Sequence, residues 1–197
     1  MKKVNLQQKD VLAEAAAVLS AGGVVMHPTE TCYGFAVDVA NLQALDKLYK
    51  LKGRDANKPV SILVADLEMA KKYGDFSEKA LELAENYWPG PLTILVPRLN
   101  NLPKDFNQGQ EFVGIRCPDH KFSRELVKAF GGPITTTSAN VSGEPPLYEA
   151  DLESFGELAD EIDLVVDGGE IPLNKPSTIA KVVGDNVEVI RQGDLIV

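Results

Sequence analysis

Short strand-forming runs alternate with helix-forming segments along the whole chain, and this alternation limits the folds that the sequence can adopt. Helices are predicted at 10–21, 41–51, 77–87, 123–130 and 151–160. Strands are predicted at 23–27, 60–65, 92–96, 112–116, 134–137, 162–166, 178–183 and 187–191. The pattern predicts an α/β fold with helices flanking a sheet, and the two adjacent strands at the end predict that the sheet is mixed, not wholly parallel.

Two helix starts have candidate capping residues. Asp10 precedes the first helix, which Gly22-Gly23 should end, and Ser77 precedes the third. Polar side chains at this position accept hydrogen bonds from the first free N–H groups of a helix. We therefore predict Asp10 and Ser77 as N-caps.

Length and composition indicate one soluble domain. The chain has 197 residues, of which 44% are hydrophobic. This is enough for one sizeable hydrophobic core, but the chain is short for two domains. Its two cysteines cannot form a disulfide framework, which favours a reducing compartment. No apolar run approaches the roughly 20 residues that span a bilayer, and the N-terminal residues lack the apolar stretch of a signal peptide. These features predict a single cytoplasmic domain, 1–197, with no membrane association.

The charge is unevenly distributed. The net charge is −9, and ten acidic residues but no basic ones lie between Glu144 and Glu170. A basic cluster lies within twelve positions of the first half: Lys47, Lys50, Lys52, Arg54 and Lys58. An acidic protein does not attract bulk nucleic acid, but such a cluster can bind a small anion such as a nucleotide phosphate. The alternative, a solvated helix face, stays open at this point.

Several common catalytic signatures are absent. The sequence has no Gly-x-x-x-x-Gly-Lys-[Ser/Thr], no Gly-x-Gly-x-x-Gly and no Gly-x-Ser-x-Gly. With only His27 and His120, a Ser-His-Asp triad is disfavoured, and we interpret His27 as structural or site-lining. Cys32 and Cys117 are single, so they form no Cys-x-x-Cys site, and packing is favoured over a thiolate nucleophile.

Five polar segments are unsuited to a hydrophobic core but carry side chains that can contact a ligand. They are Pro28-Thr29-Glu30-Thr31-x-Tyr33-Gly34; Lys52-x-Arg54 with Lys58-Pro59; Gly114-Ile115-Arg116-x-Pro118; Thr135-Thr-Thr-Ser138-Ala139-Asn140-x-Ser142-Gly143; and Pro176-Ser177-Thr178 with Arg191-x-Gly193. All are predicted at strand ends or in loops, where open α/β sheets bind ligands. Arg116 ends an apolar strand, so it should meet an anion, either an internal carboxylate or a substrate.

Together and in this order, these segments resemble the YrdC family, over about residues 10–195. The catalytic members of that family are threonylcarbamoyl-adenylate synthases. The resemblance implies a single α/β domain with an open, twisted, mostly parallel sheet, flanking helices and a large cavity. It also implies the short form, without the extra C-terminal domain of longer relatives.

The resemblance also implies a reaction and its partners. ATP, L-threonine and bicarbonate would give threonylcarbamoyl-AMP and pyrophosphate, the first step of threonylcarbamoyladenosine modification of tRNA. Other proteins would then transfer the threonylcarbamoyl group, so direct contact with tRNA is expected to be weak or absent. Mg²⁺ is expected with ATP, held mainly by phosphate oxygens, since no protein metal site is evident in the sequence. The alternatives are a YrdC-fold module that binds tRNA or rRNA and a drifted paralogue without this activity.

Site residues follow from the same resemblance. The threonine site would comprise Thr31, Lys58, Arg116, Ser138 and Ser177. The ATP site would comprise Lys52, Arg54, Asn140, Ser142 and Arg191. Lys52, Arg54 and Arg116 would be catalytic, acting by charge and position because the substrates themselves supply nucleophile and leaving group. Tyr33 would form part of the cavity wall.

Overall fold

The structure is a computed structural model that describes residues 1–53 and 58–197. Its helices within these ranges are α1 (Val11–Ser20), α2 (Leu42–Lys52), α3 (Leu67–Ala70), α4 (Glu78–Tyr87) and α5 (Lys121–Phe130), with a 3-10 helix at Glu153–Glu161. Its strands are β1 (Lys2–Asn5), β2 (Val25–His27), β3 (Gly34–Ala36), β4 (Ser61–Leu63), β5 (Leu92–Pro97), β6 (Phe112–Arg116), β7 (Ile134–Ser138), β8 (Leu164–Asp167), β9 (Thr178–Val183) and β10 (Asn186–Arg191).

One continuous sheet joins these strands in the order β1-β8-β2-β3-β7-β4-β6-β5-β9-β10. Among the neighbouring pairs in the described chain, four are parallel and five antiparallel. Followed across the sheet, these pairings orient six strands one way and four the other. The sheet is open, because the ends of its order, β1 and β10, do not pair with each other. The predicted mixed α/β fold is confirmed.

The sequence missed three short elements. Strands β1 and β3 and helix α3 have four, three and four residues, too few for a hydrophobic period to show. Strand β1 has only one buried residue, Val4, and exists because it pairs with β8 from Lys2↔Leu164 onward. Strand β1 therefore depends on a segment that is distant in the sequence.

Capping was predicted correctly at one site and wrongly at another. The Ser77 hydroxyl accepts a hydrogen bond from Ala80 N, at the start of α4. Asp10, by contrast, adopts left-handed backbone angles with φ 53° and makes no side-chain capping bond. Its side chain is therefore not aimed at the helix end. Asn41, at the start of α2, accepts from Ala44 N instead.

The helix predicted at 151–160 forms as the 3-10 helix Glu153–Glu161. Gly156 within it has φ 50° and ψ −129°, which interrupts the helical path. Only Phe155 is buried, where it packs edge-on against Phe35. The segment contacts the core through the buried Phe155 and the partly buried Leu158 and Ala159, and a regular α-helix does not form.

Apolar side chains cover both faces of the sheet. Helices α1 and α5 pack on one face, against residues that include Val25, Leu63 and Ile134. Helices α2 and α4 pack on the other, which carries Ile62, Ile94 and the remaining strand core. Ile62 and Leu63 are consecutive in β4 and point to opposite faces, as the strand geometry requires.

The face that holds α1 and α5 becomes polar further along the sheet. Ser61 lies opposite Thr136 in the β4–β7 pair, and Thr93 lies opposite Ile179 in the β5–β9 pair. Gly114 lies between them: a Cβ there would stand 2.3 Å from Ser61 Oγ and 3.3 Å from Thr93 Cγ2. This polar part of the sheet is the floor of the candidate site.

No helix in the described ranges is both long and apolar enough to cross a membrane.

Candidate functional site

A cavity of about 400 Å³ lies over the polar sheet face. Described residues that line it are Thr31, Cys32, Lys52, Lys58, Pro59, Val60, Ser61, Thr93, Arg116, Thr136, Thr137, Ser138, Asn140, Ser142, Gly143, Pro176, Ser177, Ile179 and Arg191. The volume is in the range of small-molecule sites. All five segments singled out in the sequence contribute to it, although they come from distant parts of the chain.

Arg116, at the end of β6, is held by a carboxylate and a hydroxyl. Its Nη2 donates to Glu30 Oε1 at 2.8 Å and to Thr31 Oγ1 at 3.0 Å. Thr31 Oγ1 also bonds Thr29 Oγ1 at 2.9 Å, and Glu30 Oε1 also accepts from Asp119 N at 3.0 Å. The sequence left open an internal carboxylate or a substrate anion as the partner. The structure has an internal carboxylate on Nη2, while Arg116 also lines the cavity.

Lys52, the last residue of α2, is buried beneath the loop that follows β7. Its Nζ donates to Ser138 O and to Asn140 Oδ1, each at 2.6 Å. Asn140 Oδ1 accepts from Ser138 Oγ at 2.6 Å, and Asn140 Nδ2 donates to Glu144 O. The lysine, serine and asparagine predicted to bind substrates thus also form one bonded cluster. Their direct contacts with substrate stay predictions.

Arg191, the last residue of β10, is held by neutral oxygens. Its Nε and Nη2 donate to Ser177 O at 3.0 and 2.8 Å, and Nη2 also approaches Ser177 Oγ at 3.1 Å. Ser177 Oγ in turn bonds Thr93 Oγ1 at 2.8 Å. Burial lowers the pKa of the Arg191 guanidinium below its usual value, and the positive charge of Arg116 lowers it further. Ser177 therefore lies at the Arg191 end of the cavity.

The remaining predicted residues lie in several places. Lys58 is exposed at the cavity edge, and Ser142 lines the cavity with its backbone N bonded to Lys52 O at 2.8 Å. Arg54 falls outside the described residues. Tyr33, predicted as part of the cavity wall, is not among the described lining residues. Tyr33 is fully buried, and its hydroxyl donates to Gly169 O at 2.7 Å and accepts from Gly168 N at 2.9 Å.

Sequence reasoning missed the floor of the cavity. Ser61 and Thr93 are each a single polar residue beside apolar neighbours in a strand, and neither was singled out. Glu30 was noted within its motif but was not assigned a role, although it binds Arg116. The only local signal was one polar residue in each of two otherwise apolar strands, and a single residue does not indicate a polar face of the sheet.

Cys32, Cys117 and His27 are buried, and Cys32 also lines the cavity. Burial raises the pKa of the Cys32 thiol, and it raises that of the Cys117 thiol to about 11. Burial lowers the pKa of His27 to about 4, although a hydrogen bond to Pro28 O opposes this shift. At neutral pH these groups are an uncharged imidazole and two protonated thiols, so none is an activated nucleophile or a cationic acid.

The described residues contain no group of three or more His, Cys, Asp or Glu side chains that could hold a metal ion. Around the cavity the donor set is cations, hydroxyls and one amide. Glu30, the carboxylate that contacts Arg116, already accepts two hydrogen bonds through Oε1. These donors suit anions and not a hard cation, which prefers several free oxygen ligands.

The fold agrees with the family comparison. Residues 17–193 match the Sua5/YciO/YrdC family, described as "telomere recombination". This match covers most of the chain, and the chain belongs to this family.

Curated relatives carry consistent names. The chain is 35% identical over 188 residues to a putative threonylcarbamoyl-AMP synthase of Methanocaldococcus jannaschii, covering 95% of this chain and 87% of that protein. It is 39% identical over 162 residues to the threonylcarbamoyl-AMP synthase of Mus musculus, covering 82% of this chain but 57% of the mouse protein. Against several relatives the chain thus spans little more than half of their length.

Solved structures share the fold. The structure of Pyrococcus abyssi Sua5 complexed with L-threonine matches with a TM-score of 0.90 at 29% identity, over 99% of this chain and 58% of that one. Escherichia coli YciO matches with a TM-score of 0.86 at 22% identity, over 98% of this chain and 94% of that one. The second similarity, at such low identity, shows the fold alone.

Proposed function

We propose that this chain catalyses the ATP-dependent synthesis of L-threonylcarbamoyl-AMP from L-threonine and bicarbonate, with release of pyrophosphate. The observation that carries the proposal is one cavity of about 400 Å³ lined by both Arg116 and Arg191. Two arginines facing a common space can bind two anionic reactants side by side. The names of the curated relatives support the same activity.

The chemistry requires position more than a reactive side chain. Bicarbonate supplies CO₂, to which the neutral amine of threonine adds, so that amine and bicarbonate together give a carbamate and one water. A carbamate oxygen then attacks the α-phosphorus of ATP. The bond to the β-phosphate oxygen breaks, and pyrophosphate leaves with its electron pair. Because the substrates supply nucleophile and leaving group, the protein contributes alignment and charge neutralisation.

The Arg116 end is proposed as the threonine site. Arg116 would bind the threonine carboxylate, with Thr31 beside it as the hydroxyl that already accepts from Nη2. Lys58 at the cavity edge and Ser138 at the end of β7 would complete the site. A planar guanidinium whose orientation is fixed by neighbours suits a carboxylate, which accepts two parallel hydrogen bonds.

The Arg191 end is proposed as the ATP site. Arg191 would face the phosphates, together with Lys52, Arg54, Asn140 and Ser142. Ser177, which the resemblance assigns to threonine, would influence both substrates because it contacts Arg191 and Thr93. Mg²⁺ that accompanies ATP would be held by phosphate oxygens and water, since the described donor set does not fit a protein-held cation.

The proposal includes how the product is used. Downstream proteins that transfer the threonylcarbamoyl group to tRNA would consume it, and a cytoplasmic location follows from that role. The formal charge of −9 disfavours strong direct binding to tRNA, because binding to a phosphate backbone depends on dispersed cations.

Pyrophosphate release by the purified protein tests the activity. With ATP, L-threonine and bicarbonate present, we expect pyrophosphate in a 1:1 ratio to threonylcarbamoyl-AMP identified by mass spectrometry. Leaving out threonine or bicarbonate should each stop release. Release that continues without threonine would contradict the proposal and indicate simple ATP cleavage.

A salt titration of tRNA binding distinguishes the RNA-binding alternative. Weak binding, well above micromolar Kd at physiological salt, is expected. Micromolar binding with a steep salt dependence, in a protein that releases no pyrophosphate, would favour the RNA-binding module.

A further inference from the structure

We propose that Glu30 is a positioning and specificity residue for the amino-acid end of the cavity. It orients the Arg116 guanidinium and balances its charge, so that this end accepts a zwitterionic amino acid and rejects free inorganic anions. The inference rests on the proposed function for the identity of the amino acid.

The geometry fixes Glu30 between two anchors. Glu30 Oε1 accepts from Arg116 Nη2 at 2.8 Å and from Asp119 N at 3.0 Å. Asp119 follows Arg116 by three residues, so the carboxylate binds both the side chain at the end of β6 and the backbone just beyond it. The guanidinium therefore has one hydrogen-bonding edge fixed by the protein.

The ion pair is buried but not internally satisfied. The side chains of Arg116 and Glu30 are 6% and 19% exposed. Arg116 Nε and Glu30 Oε2 are buried and lack a hydrogen-bond partner among the described residues. Buried polar atoms in native proteins are normally paired, and an ion pair built for stability alone gains from saturating these atoms. Unpaired atoms beside a cavity fit a site that is organised for a ligand.

Charge is the second part of the inference. Arg191 and Lys58 line the same cavity as Arg116, so its potential is positive. The Glu30 carboxylate cancels the charge of Arg116 locally, whereas Arg191 donates to neutral oxygens of Ser177 in the described part of the chain. A zwitterion is neutral overall and loses little from this balance. A phosphate, with up to two negative charges, loses the attraction of a full cation at this end.

Two variants separate orientation from charge. Glu30→Gln keeps the length and the accepting oxygen but removes the charge. Glu30→Asp keeps the charge but withdraws the oxygen by one methylene. Glu125→Gln is the matched control, because it removes the same charge from the exposed side of α5, where Glu125 lies 3.8 Å from Lys121 Nζ. Thermal unfolding of each variant confirms that it is folded.

The experiment measures L-threonine KM and kcat by pyrophosphate release, and inhibition by inorganic phosphate that is competitive with threonine. For Glu30→Gln we expect the phosphate inhibition constant to fall about tenfold or more. For Glu30→Asp we expect the threonine KM to rise about tenfold, with kcat nearly unchanged and phosphate inhibition as in wild type. Glu125→Gln should match wild type in both measurements.

Equal phosphate inhibition in Glu30→Gln and Glu125→Gln would overturn the charge role, and a wild-type threonine KM in Glu30→Asp would overturn the orientation role. Calorimetric titration with phosphate alone is run in parallel. If wild type released no threonine-dependent pyrophosphate, the proposed function would fail. The phosphate titration of Glu30→Gln against wild type would still decide the charge role, since tighter phosphate binding supports it and equal binding overturns it.

Discussion

The two ends of the cavity hold their arginines differently. At one end, Arg116 lies on an interior strand and is paired with the Glu30 carboxylate. At the other, Arg191 lies on β10, the last strand in the order of the sheet, and donates to the carbonyl and hydroxyl of Ser177. The first guanidinium is charge-balanced, and the second keeps its charge directed at the cavity.

This difference indicates how one small cavity can bind two different anions at its two ends. A balanced arginine offers directed hydrogen bonds with little net field, which suits a single carboxylate beside an ammonium group. An arginine that is hydrogen-bonded to neutral oxygens keeps its full positive electrostatic potential, which suits a polyanion. The lowered pKa of Arg191, caused first by burial and then by Arg116, is consistent with a cation that has little compensation.

The largest expected effect comes from Arg116→Ala. We expect the threonine affinity to fall at least about 100-fold, as when one partner of a buried charge pair is removed. We also expect a loss of about 3–5 kcal/mol in the free energy of unfolding, because the Glu30 carboxylate stays buried without its partner. Calorimetry with threonine and urea unfolding measure the two effects.

The double variant Arg116→Ala, Glu30→Gln is the control for this prediction. It should recover part of the stability while threonine binding stays lost. Recovery of threonine binding in the double variant would show that Arg116 does not bind the substrate directly.

Arg191→Ala should affect the opposite substrate. We expect the KM for ATP to rise about 10- to 100-fold, because a charge-assisted contact with phosphate is removed, while the KM for threonine changes less than about threefold. Steady-state kinetics with each substrate varied in turn measures this. Lys128→Ala on α5 removes an exposed cation outside the cavity and should leave both constants unchanged. Equal rises for both substrates in Arg191→Ala would remove the distinction between the two ends.

Acid should weaken the structure beneath the Arg116 end. Burial holds the pKa of His27 at about 4 in the folded protein, so only the unfolded chain binds this proton between pH 6.5 and 4. Stability is therefore lost as the pH falls through this window, by roughly 2–3 kcal/mol between pH 7 and 4.5. His120 and Arg116, which face His27, oppose its protonation. Urea unfolding at the two pH values measures the loss.

His27→Gln should reduce this pH dependence, because the group that titrates is gone. His120→Gln is the comparison variant, because burial lowers the pKa of His120 in the same direction and its removal shows how much of the pH dependence belongs to His27. An unchanged pH dependence in His27→Gln would mean that other groups cause the acid sensitivity.

Gly114→Ala should have the smallest effect, and it should reduce kcat/KM for threonine and for ATP alike. Its Cβ would stand 2.3 Å from Ser61 Oγ, so the floor between the ends must shift, at a cost of about 1–3 kcal/mol in stability. We expect kcat/KM to fall for both substrates together. Gly132→Ala is the matched control, because its nearest neighbour would be the Phe130 ring at 3.8 Å. A selective loss for one substrate would place Gly114 at that end.

Much of the fold could be predicted from the sequence, and the reasons are local. Helix α4 carries its own start signal at Ser77, and β6 is a run of strand-forming residues whose bounds were predicted correctly. Asp10 shows the limit, because a capping residue type does not ensure capping geometry. Strand β1 shows another, since its pairing with β8 depends on residues more than 150 positions away.

The sequence predicted which residues lie around the cavity, but it did not predict the hydrogen bonds between them. Arg116 and Arg191 were assigned to one hollow, and both line the cavity. The bonds from Lys52 to Ser138 and Asn140 were not predicted, because they depend on how α2 meets the end of β7. The hydrogen bond from Tyr33 to Gly169 was not predicted for the same reason: the direction of a side chain in a loop is set by tertiary contacts that no local pattern encodes.

The order of the strands fixes the distance between the backbones of Arg116 and Arg191. Arg116 on β6 and Arg191 on β10 are separated by β5 and β9, which amounts to three interstrand steps of about 4.8 Å, or roughly 14 Å between the two backbones. Backbone hydrogen bonds between the strands set this distance. A side-chain substitution therefore changes what each end of the cavity binds but not the distance between the two ends. New chemistry on this scaffold would therefore be restricted to pairs of reactants of a matching combined length.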